Sequence, residues 1–275
     1  MNMFVCVVFL AFFLATIAQP ARGQKVKLGE VLVINTLDLK PDADPAAFES
    51  HVTEKMLPSW DALKEGGETH FFRADRGKDQ GSYWMVWSFE TEDQRDAMRP
   101  GGEGSGFSAA AFEKVGKAGA LPAEFLSDEG GFTDYELIGA DRIDRLPEVE
   151  LLGVHYIKVR PDRSDAFDEF VRDTLNPALV GQMRGMDLLY YKGVEGDQKG
   201  NYLTVFAIGT HEDREYYWPT GAPETEALSE AFAPLKEIAQ RLKTYLVPGT
   251  FPDVDTGLAA AIFESIEWTD FAILK

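Results

Sequence analysis

The sequence repeats itself, and the repeat limits the folds open to this chain more than any other feature does. The segment 31–64 recurs as 151–182, at an offset of 119 or 120 positions. Short stretches show the match, namely Lys40-Pro41-Asp42 with Arg160-Pro161-Asp162, and Gly81-Ser82-Tyr83 with Gly200-Asn201-Tyr202. Further on, Phe132-Thr133-Asp134-Tyr135 matches Trp268-Thr269-Asp270-Phe271 after the offset shifts to 136. We therefore expect a tandem duplication, with a first half at residues 24–145 and a second half at residues 146–275.

The first 23 residues have the pattern of a secretory signal peptide. An apolar run at residues 4–18 is followed by Ala21-Arg22-Gly23, which provides small residues for a signal peptidase. The run is shorter than the roughly 20 residues that cross a bilayer, so we expect cleavage, with an uncleaved anchor as the alternative. The single cysteine, Cys6, lies in this leader, so the mature chain is expected to lack disulfides and cysteine metal ligands. A lipid anchor at Cys6 is a lesser alternative.

The mature chain is therefore expected to be secreted or periplasmic, without stable membrane insertion. Its surface should be strongly acidic, because the full sequence has 46 Asp and Glu against 27 Lys and Arg, for a formal net charge of −19, and removal of Arg22 with the leader makes this −20. Such a charge repels nucleic acid, which is not an expected partner. We interpret the acidic charge as a means of staying soluble outside the cell. The alternative interpretation is that it binds a cationic partner.

Each half has the predicted element order β-α-β-β-α-β, which is the split βαβ unit of ferredoxin-like folds. In the first half, strands are predicted at residues 31–39, 69–74, 82–89 and 132–138, and helices follow Asp44-Pro45 and Thr91, the second resuming at 107–117. In the second half, strands are predicted at 151–159, 186–192, 202–208 and 266–274, with helices at 164–180 and 227–246. Pro58 and Pro177 fall inside the first helix of each half, where each removes a backbone hydrogen bond, so a kink is predicted twice.

A four-stranded sheet with two helices on one face leaves its other face apolar and uncovered, and two such sheets can cover each other. The chain resembles the dimeric α+β barrel superfamily in three features: the order of its elements, the tandem copy, and the proline in the first helix. The resemblance implies an α+β protein of two ferredoxin-like βαββαβ repeats, packed sheet to sheet as one barrel with the helices outside. A homo-oligomer formed through sheet edges is a further expectation.

Asn35 and His155 are the candidate catalytic residues, because they occupy equivalent positions on the first strand of each half. Alternation places each polar group on an apolar strand face, where it needs a partner or a ligand. The alternative is a hydrogen bond to neighbouring backbone or water. The resemblance implies a ligand cavity between sheet and first helix, and cofactor-free and haem-degrading monooxygenases of the superfamily use an asparagine on this strand with a nearby tryptophan. Asn35 with Trp84 or Trp87 resembles that pair.

The iron-ligating histidine of the haem-degrading enzymes has no counterpart in this sequence, because no histidine lies between Glu90 and Ile138. We therefore expect neither a cofactor nor a metal. For His51, His70 and His211 a structural or solvated role is expected. The glycine-rich segment 102–106 lacks the lysine and Ser/Thr of a phosphate-binding loop, and it is interpreted as a lid or connector.

Aromatic residues crowd the hairpins, and most are expected to pack in the core. The alternative is that some line a cavity for a flat or aromatic ligand. The candidate ligand-binding residues are Trp84, Trp87, Tyr156, Tyr190, Tyr191, Tyr202 and Trp218. Ligand chemistry is expected in the second half, because His155 titrates near neutral pH and Asn35 does not.

Three functions remain open at this stage. The first is an exported protein that binds a small apolar or aromatic molecule in the barrel. The second is a cofactor-independent or haem-related monooxygenase-like oxidoreductase, in which His155 acts with Tyr156 or Tyr191. The third is a non-catalytic structural or interaction protein with a solid barrel, and the size of the barrel cavity separates it from the other two.

Overall fold

A computed structural model of the chain describes residues 26–62, 67–99, 113–140, 148–220, 225–250 and 266–274. Four sequence-based predictions lie outside these ranges in whole or in large part. They are the signal peptide at 1–23, the glycine-rich segment 102–106, the resumed helix at 107–117 and the boundary between the halves at 145 and 146.

Eight antiparallel strands close into a barrel. They are β1 Val31–Leu39, β2 Glu68–Gly77, β3 Tyr83–Phe89, β4 Leu126–Ala140, β5 Leu151–Ile157, β6 Met186–Gly196, β7 Tyr202–Ile208 and β8 Trp268–Ile273. The order around the barrel is β8-β2-β3-β1-β4-β6-β7-β5, and β5 pairs with β8 to complete the ring. The predicted combination of an α+β fold with one central barrel is therefore confirmed.

The strand order is the same in the two halves, β2-β3-β1-β4 in the first and β6-β7-β5-β8 in the second. The halves meet where β4 pairs with β6 and where β8 pairs with β2. Because every barrel strand has a neighbour on both sides, the barrel offers no open edge to a second molecule. Oligomerisation through sheet edges stays a prediction, and the paired barrel strands provide no free edge for it.

The helices cover the outer face of the sheet. The α-helical segments are α1 Pro45–His51, α2 Leu57–Asp61, α3 Glu92–Met98, α4 Ser164–Phe170, α5 Asn176–Leu179, α6 His211–Tyr217, α7 Glu226–Ala231 and α8 Leu235–Tyr245. Helix α1 begins as predicted, since the Asp44 side chain accepts a hydrogen bond from the amide of Ala46 and Pro45 occupies the first turn. Among the described residues, no helix has both the length and the apolar character needed to cross a membrane.

The two helix prolines each follow a π-helical turn. Val52–Met56 separates α1 from α2, and Val171–Leu175 separates α4 from α5. In this wider turn the amide of Leu57 donates to the carbonyl of Val52, five residues back, and the amide of Asn176 donates likewise to Val171. The ring of Pro58 or Pro177 needs room and provides no donor, so the helix loosens at that point in both halves.

The predicted single helix at 227–246 is wrong, because the structure contains α7 and α8 in its place. The break contains Pro234, which cannot donate the hydrogen bond that would continue α7. Two other predicted elements have the expected bounds, namely β1 and β7, whereas β4 starts six residues earlier than predicted, at Leu126.

One end of the barrel is closed by the segment before β1. Val26–Lys27 pairs with Glu148–Val149 outside the barrel sheet, and the side chains of Val26, Leu28 and Val149 are fully buried against the interior cluster. The hydroxyl of Tyr191 donates to the carbonyl of Gly29 at 2.8 Å, which fixes this segment in place. The opposite end of the barrel remains open to a cavity.

Candidate functional site

The sheet divides the core into three layers, and neighbouring residues of a strand belong to different layers. The interior layer lies inside the barrel and includes Ile34, Trp84 and Val154. The first outer layer lies between the sheet and α1, with Val33 and Phe48, and the second outer layer is its counterpart in the second half. Away from the strand ends, a side chain therefore packs against residues of its own layer.

The predicted site residues fall into all three layers. Trp84, Tyr156 and Tyr191 belong to the interior layer, Asn35 and Trp87 to the first outer layer, and His155, Tyr190, Tyr202 and Trp218 to the second outer layer. The sheet therefore separates Asn35 from Trp84, and only Trp87 shares a face with Asn35. It also separates His155 from Tyr156 and Tyr191, which corrects the grouping expected from the sequence.

His155 is packed rather than presented to a ligand. Its side chain is buried on the helix-facing side of β5, and its ring lies 5.0 Å from the ring of Phe206. Burial lowers the pKa of His155 to about 3, so the imidazole is neutral at physiological pH. Phe206 in turn packs against Trp218 at 5.5 Å. The described residues around His155 do not fit a haem, whose iron needs an open position beside the ligating ring.

The open end of the barrel holds a cavity of about 240 Å³, which we call the barrel mouth. Its apolar wall comes from the interior layer, with Ile34, Trp84, Tyr135 and Leu203. Its rim is polar and is built from the two hairpin turns and the strand ends beside them. The rim residues are Thr36, Lys78, Asp79, Thr133, Lys158, Asp197, Gln198, Asn201 and Glu267. Both halves of the chain therefore contribute to the barrel mouth.

Asp79 organises one side of the rim. Its carboxylate Oδ2 accepts hydrogen bonds from the hydroxyl of Tyr156 at 2.5 Å and from the hydroxyl of Thr269 at 2.9 Å. Burial, and then the nearby Asp79 carboxylate, raise the pKa of Tyr156, so this phenol stays protonated. Next to it, the Lys78 ammonium donates to Glu267 at 2.7 Å and lies 5.4 Å from the centre of the Tyr156 ring. The polar groups on this side are therefore held in one arrangement.

Trp84 provides the one unused donor that we find in the wall. Its side chain is buried and stacks on Phe271, with ring centres 4.0 Å apart and planes inclined by 26°. The indole Nε1 is buried without a hydrogen-bond acceptor in the described part of the chain. An unpaired buried donor destabilises a protein by about 1–3 kcal/mol. A ligand atom or a water that accepts from Trp84 would remove this penalty.

Sequence reasoning missed most of the rim. The signal that could have found it is the repeated Thr-Asp pair, Thr133-Asp134 and Thr269-Asp270. In the structure, each of these threonines accepts a hydrogen bond from a hairpin turn of the other half: Thr269 from the amide of Asp79 at 3.2 Å, and Thr133 from the amide of Gln198 at 3.1 Å. The rim is therefore pseudo-symmetric, which only the closed barrel reveals.

Tyr202 lines the barrel mouth, and its hydroxyl also belongs to a cluster that occurs in both halves. Its hydroxyl donates to Asp168 of α4 at 2.6 Å, and Lys192 of β6 donates to the same carboxylate at 2.7 Å. In the first half Tyr83 donates to Glu49 of α1 at 2.9 Å, and Arg73 of β2 donates to it at 3.2 Å. These tyrosine–carboxylate–cation clusters tie helix to sheet. In the described residues no group of three or more His, Cys, Asp or Glu could hold a metal ion.

Comparisons with known proteins identify the fold. No protein-family model matches the chain, and no curated protein sequence matches it significantly. A candidate monooxygenase from Fusobacterium nucleatum subsp. nucleatum has a similar solved structure, with TM-score 0.53, 9% identity, and coverage of 89% of this chain and 92% of that chain. A candidate monooxygenase from Lactobacillus acidophilus has TM-score 0.46 and 10% identity, and the match covers 89% of this chain and 94% of that chain. A chlorite dismutase from Candidatus Nitrospira defluvii has TM-score 0.41 and 10% identity, and the match covers 90% of this chain and 92% of that chain.

At such low identity the similarity concerns the fold and carries no information about the site. The match to the Fusobacterium structure covers nearly the whole length of both chains. The chain therefore folds as a closed barrel of eight strands, all provided by one polypeptide, and this fold is similar to that of the Fusobacterium structure.

Proposed function

We propose that the barrel mouth binds a small, largely planar apolar molecule that carries a hydrogen-bond acceptor. The observation that carries this proposal is the buried indole Nε1 of Trp84, which lacks an acceptor among the described residues and belongs to a cavity-lining side chain. The surrounding wall is aromatic and aliphatic, and such walls bind flat apolar ligands through area removed from water. The volume of about 240 Å³ suits a molecule of one or two fused rings.

The rim favours a ligand that enters by its apolar end. Lys78 is paired with Glu267, and Asp79 already accepts two hydrogen bonds, so these charges are engaged with one another before a ligand arrives. A charged ligand would have to compete with these contacts. A neutral ligand with a carbonyl or ether oxygen needs only the free Trp84 donor. This argues for a neutral acceptor.

The test uses a matched pair of probes, 2-acetylnaphthalene and 2-ethylnaphthalene, which differ in the carbonyl oxygen. Binding to the mature protein is measured by isothermal titration calorimetry. We expect the acetyl probe to bind about fivefold more tightly than the ethyl probe, because one neutral hydrogen bond contributes roughly 1 kcal/mol. In Trp84→Phe this preference should disappear, because phenylalanine keeps an aromatic wall and removes the donor.

Trp87→Phe is the matched control, since Trp87 lies on the same strand but in the first outer layer, where its ring meets Trp60 at 5.7 Å. It should keep the preference of the wild type. The proposal is wrong if neither probe binds, or if Trp84→Phe discriminates between the probes as the wild type does. Untargeted mass spectrometry of molecules that co-purify with the protein would then identify the natural ligand.

A second candidate function is a cofactor-independent monooxygenase-like reaction in the first outer layer. It is favoured by Asn35, which pairs with Met85 across the sheet and so lies on the same face as Met85 and Trp87. Oxygen uptake with 1-naphthol as substrate would test it. Uptake that survives Asn35→Ala in a folded protein excludes this role. The third reading, a solid barrel, is disfavoured by the volume of the barrel mouth.

We also infer that the chain is an exported duplication of one ferredoxin-like unit. The equal strand order of the halves and the equivalent Tyr83–Glu49 and Tyr202–Asp168 contacts support the duplication. Export rests on the leader at 1–23. The mass of the protein recovered from the secreting cell should correspond to cleavage after Gly23, and retention of the leader in a membrane fraction would contradict the inference.

A further inference from the structure

The rim of the barrel mouth has two sides that are counterparts in the duplication, and they differ in chemistry. On the first side the turn between β2 and β3 provides Asp79, and the corresponding position in the turn between β6 and β7 is Gln198. Tyr156 on the first side likewise corresponds to Thr36 on the second. The first side therefore has a carboxylate and a phenol where the second has an amide and an aliphatic hydroxyl.

Asp79 keeps unused capacity to accept hydrogen bonds. The hydroxyls of Tyr156 at 2.5 Å and of Thr269 at 2.9 Å both donate to the same oxygen, Oδ2. A carboxylate has about four lone-pair sites on its two oxygens, so two contacts on Oδ2 leave Oδ1 as an acceptor. The neighbouring Lys78 ammonium donates to Glu267 at 2.7 Å. A ligand donor can therefore bind Asp79 without displacing a contact of the rim.

Asp79 is also better shielded from water than the acidic residue of the other turn. Asp79 is half-buried, whereas Asp197 is exposed and its Oδ2 already accepts a hydrogen bond from the backbone amide of Phe132 at 3.0 Å. A hydrogen bond to a carboxylate is stronger where less water surrounds it. Of the two turn carboxylates, Asp79 is therefore the one that contributes more to the binding of a donor.

Asp79 lies on the same side of the barrel as the Trp84 indole. Thr269, which contacts Asp79, and Phe271, on which Trp84 stacks at 4.0 Å, are two residues apart on the interior face of β8. Two residues of a strand span about 7 Å. The Asp79 acceptor at the rim and the Trp84 donor in the wall are therefore spaced for the two ends of one ligand of two fused rings.

We propose that the ligand of the barrel mouth also carries a neutral hydroxyl or N–H donor, at the end opposite its acceptor, and that this donor binds the Asp79 carboxylate. The inference rests on the proposed function, since it concerns the ligand of the same cavity. The inner acceptor meets Trp84 and the outer donor meets Asp79. Asp79 thereby selects against molecules whose outer end lacks a donor, because the carboxylate then loses water without gaining a hydrogen bond.

The test uses 2-acetyl-6-hydroxynaphthalene and 2-acetyl-6-fluoronaphthalene, which share the acetyl acceptor and differ in the outer donor. Isothermal titration calorimetry with the mature protein at pH 6.5 measures both. We expect the hydroxyl probe to bind about tenfold more tightly, because hydrogen bonds to charged acceptors contribute more than those between neutral groups. The carbon-13 signal of the Asp79 side-chain carboxyl should shift more with the hydroxyl probe than with the fluoro probe.

Three variants locate the acceptor. Asp79→Asn removes the charge and should reduce the preference for the hydroxyl probe to about twofold or less. Asp197→Asn makes the same change in the other turn and should keep most of the preference. Asp75→Asn is the matched control outside the lining of the cavity, since its carboxylate accepts from Arg73 at 3.1 Å, and it should bind both probes as the wild type does.

The inference is overturned if the hydroxyl and fluoro probes bind the wild type equally while 2-acetylnaphthalene still binds more tightly than 2-ethylnaphthalene. The proposed function then stands without it. It is also overturned if Asp197→Asn removes the preference and Asp79→Asn does not. Failure of every naphthalene probe to bind rejects the proposed function, and this inference with it. Should Asp79→Asn fail to fold by circular dichroism, the wild-type probe pair and the Asp79 carboxyl signal decide.

Discussion

The hydroxyl oxygen of Thr269 accepts a hydrogen bond of 3.2 Å from the amide of Asp79, so the last strand of the second half is held by a turn of the first. The counterpart contact joins Thr133 to the amide of Gln198 at 3.1 Å. Each hairpin turn thus contacts the final strand of the other half, at the rim of the barrel mouth. The two halves are coupled at the place where the ligand is proposed to enter.

Replacing either threonine by valine should destabilise the protein, and Thr269→Val should do so more than Thr133→Val. Thr269 is fully buried and also donates to the Asp79 carboxylate at 2.9 Å, so valine removes two hydrogen bonds. We expect the free energy of unfolding to fall by roughly 2 kcal/mol for Thr269→Val and by about 1 kcal/mol for Thr133→Val. Urea denaturation measures both, and an equal or reversed order would contradict the account.

The duplicated tyrosine clusters give a second comparison between the halves. Tyr202→Phe removes a hydrogen bond to Asp168 and a 2.7 Å contact with the Ser164 hydroxyl, whereas Tyr83→Phe removes only the hydrogen bond to Glu49. Hydrogen bonds to charged acceptors contribute about 1.5–3 kcal/mol each. Tyr202→Phe should therefore be the more destabilising substitution, as measured by the shift of the urea midpoint at constant m-value. A larger loss for Tyr83→Phe would argue against these contacts as the helix-to-sheet ties.

His155 should make the free energy of unfolding depend on pH in the acid range. Burial lowers its pKa to about 3, below the value of about 6.5 for an unfolded histidine. Between these values the unfolded chain binds the proton and the folded chain does not. Stability from this group is therefore fully present above pH 6.5 and falls as pH decreases, by up to about 1.4 kcal/mol per pH unit.

The measurement for His155 compares urea denaturation between pH 4.5 and 7.5 in the wild type and in His155→Asn, which installs the residue of the first half. The slope of unfolding free energy against pH should be lower in the variant over this range. Nitrogen-15 NMR of the wild type should show the His155 ring uncharged at pH 5. A ring that titrates near pH 6.5 would mean that it is not buried as described.

Asp134 should have the opposite effect on the pH dependence of the unfolding free energy. Burial is the main cause that raises its pKa to about 6, with Glu195 adding to the rise and Arg99 and Arg95 opposing it. The folded protein therefore holds this proton where the unfolded chain, with a pKa of about 3.9, has lost it. The contribution is favourable below about pH 4 and is lost as pH rises through 6, for a total of roughly 3 kcal/mol.

Carbon-13 NMR of the Asp134 carboxyl should give a midpoint well above that of an exposed aspartate. In Asp134→Asn the free energy of unfolding should rise more steeply with pH between 4 and 6.5 than in the wild type, because the opposing group is gone. The comparison rests on the slopes, since the variant also leaves Arg99 without its charged partner. A midpoint near 4 would show that the arginines outweigh burial.

Local patterns along the chain predicted the barrel strands and the faces of their side chains, because those depend on neighbouring residues, whereas the single helix at 227–246 was wrong. Alternation and turn residues predicted β1 and β7 with the observed bounds, and the Asp44 cap placed the start of α1. The repeat predicted one barrel built from two halves. Alternation also grouped Asn35 with Val33 correctly, since both face the helix side.

Which residues come together at the barrel mouth depends on the closed fold. The register between β1 and β3 puts Trp87, and not Trp84, on the face of Asn35, and no local pattern contains that register. Asp79 and Thr269 are 190 positions apart and meet because the ring of strands closes between β8 and β2. The burial that makes His155 neutral likewise comes from rings such as Phe206, which another strand brings to it. Contacts of this kind depend on barrel closure and on packing between distant strands, so the barrel mouth could not be predicted from the order of residues.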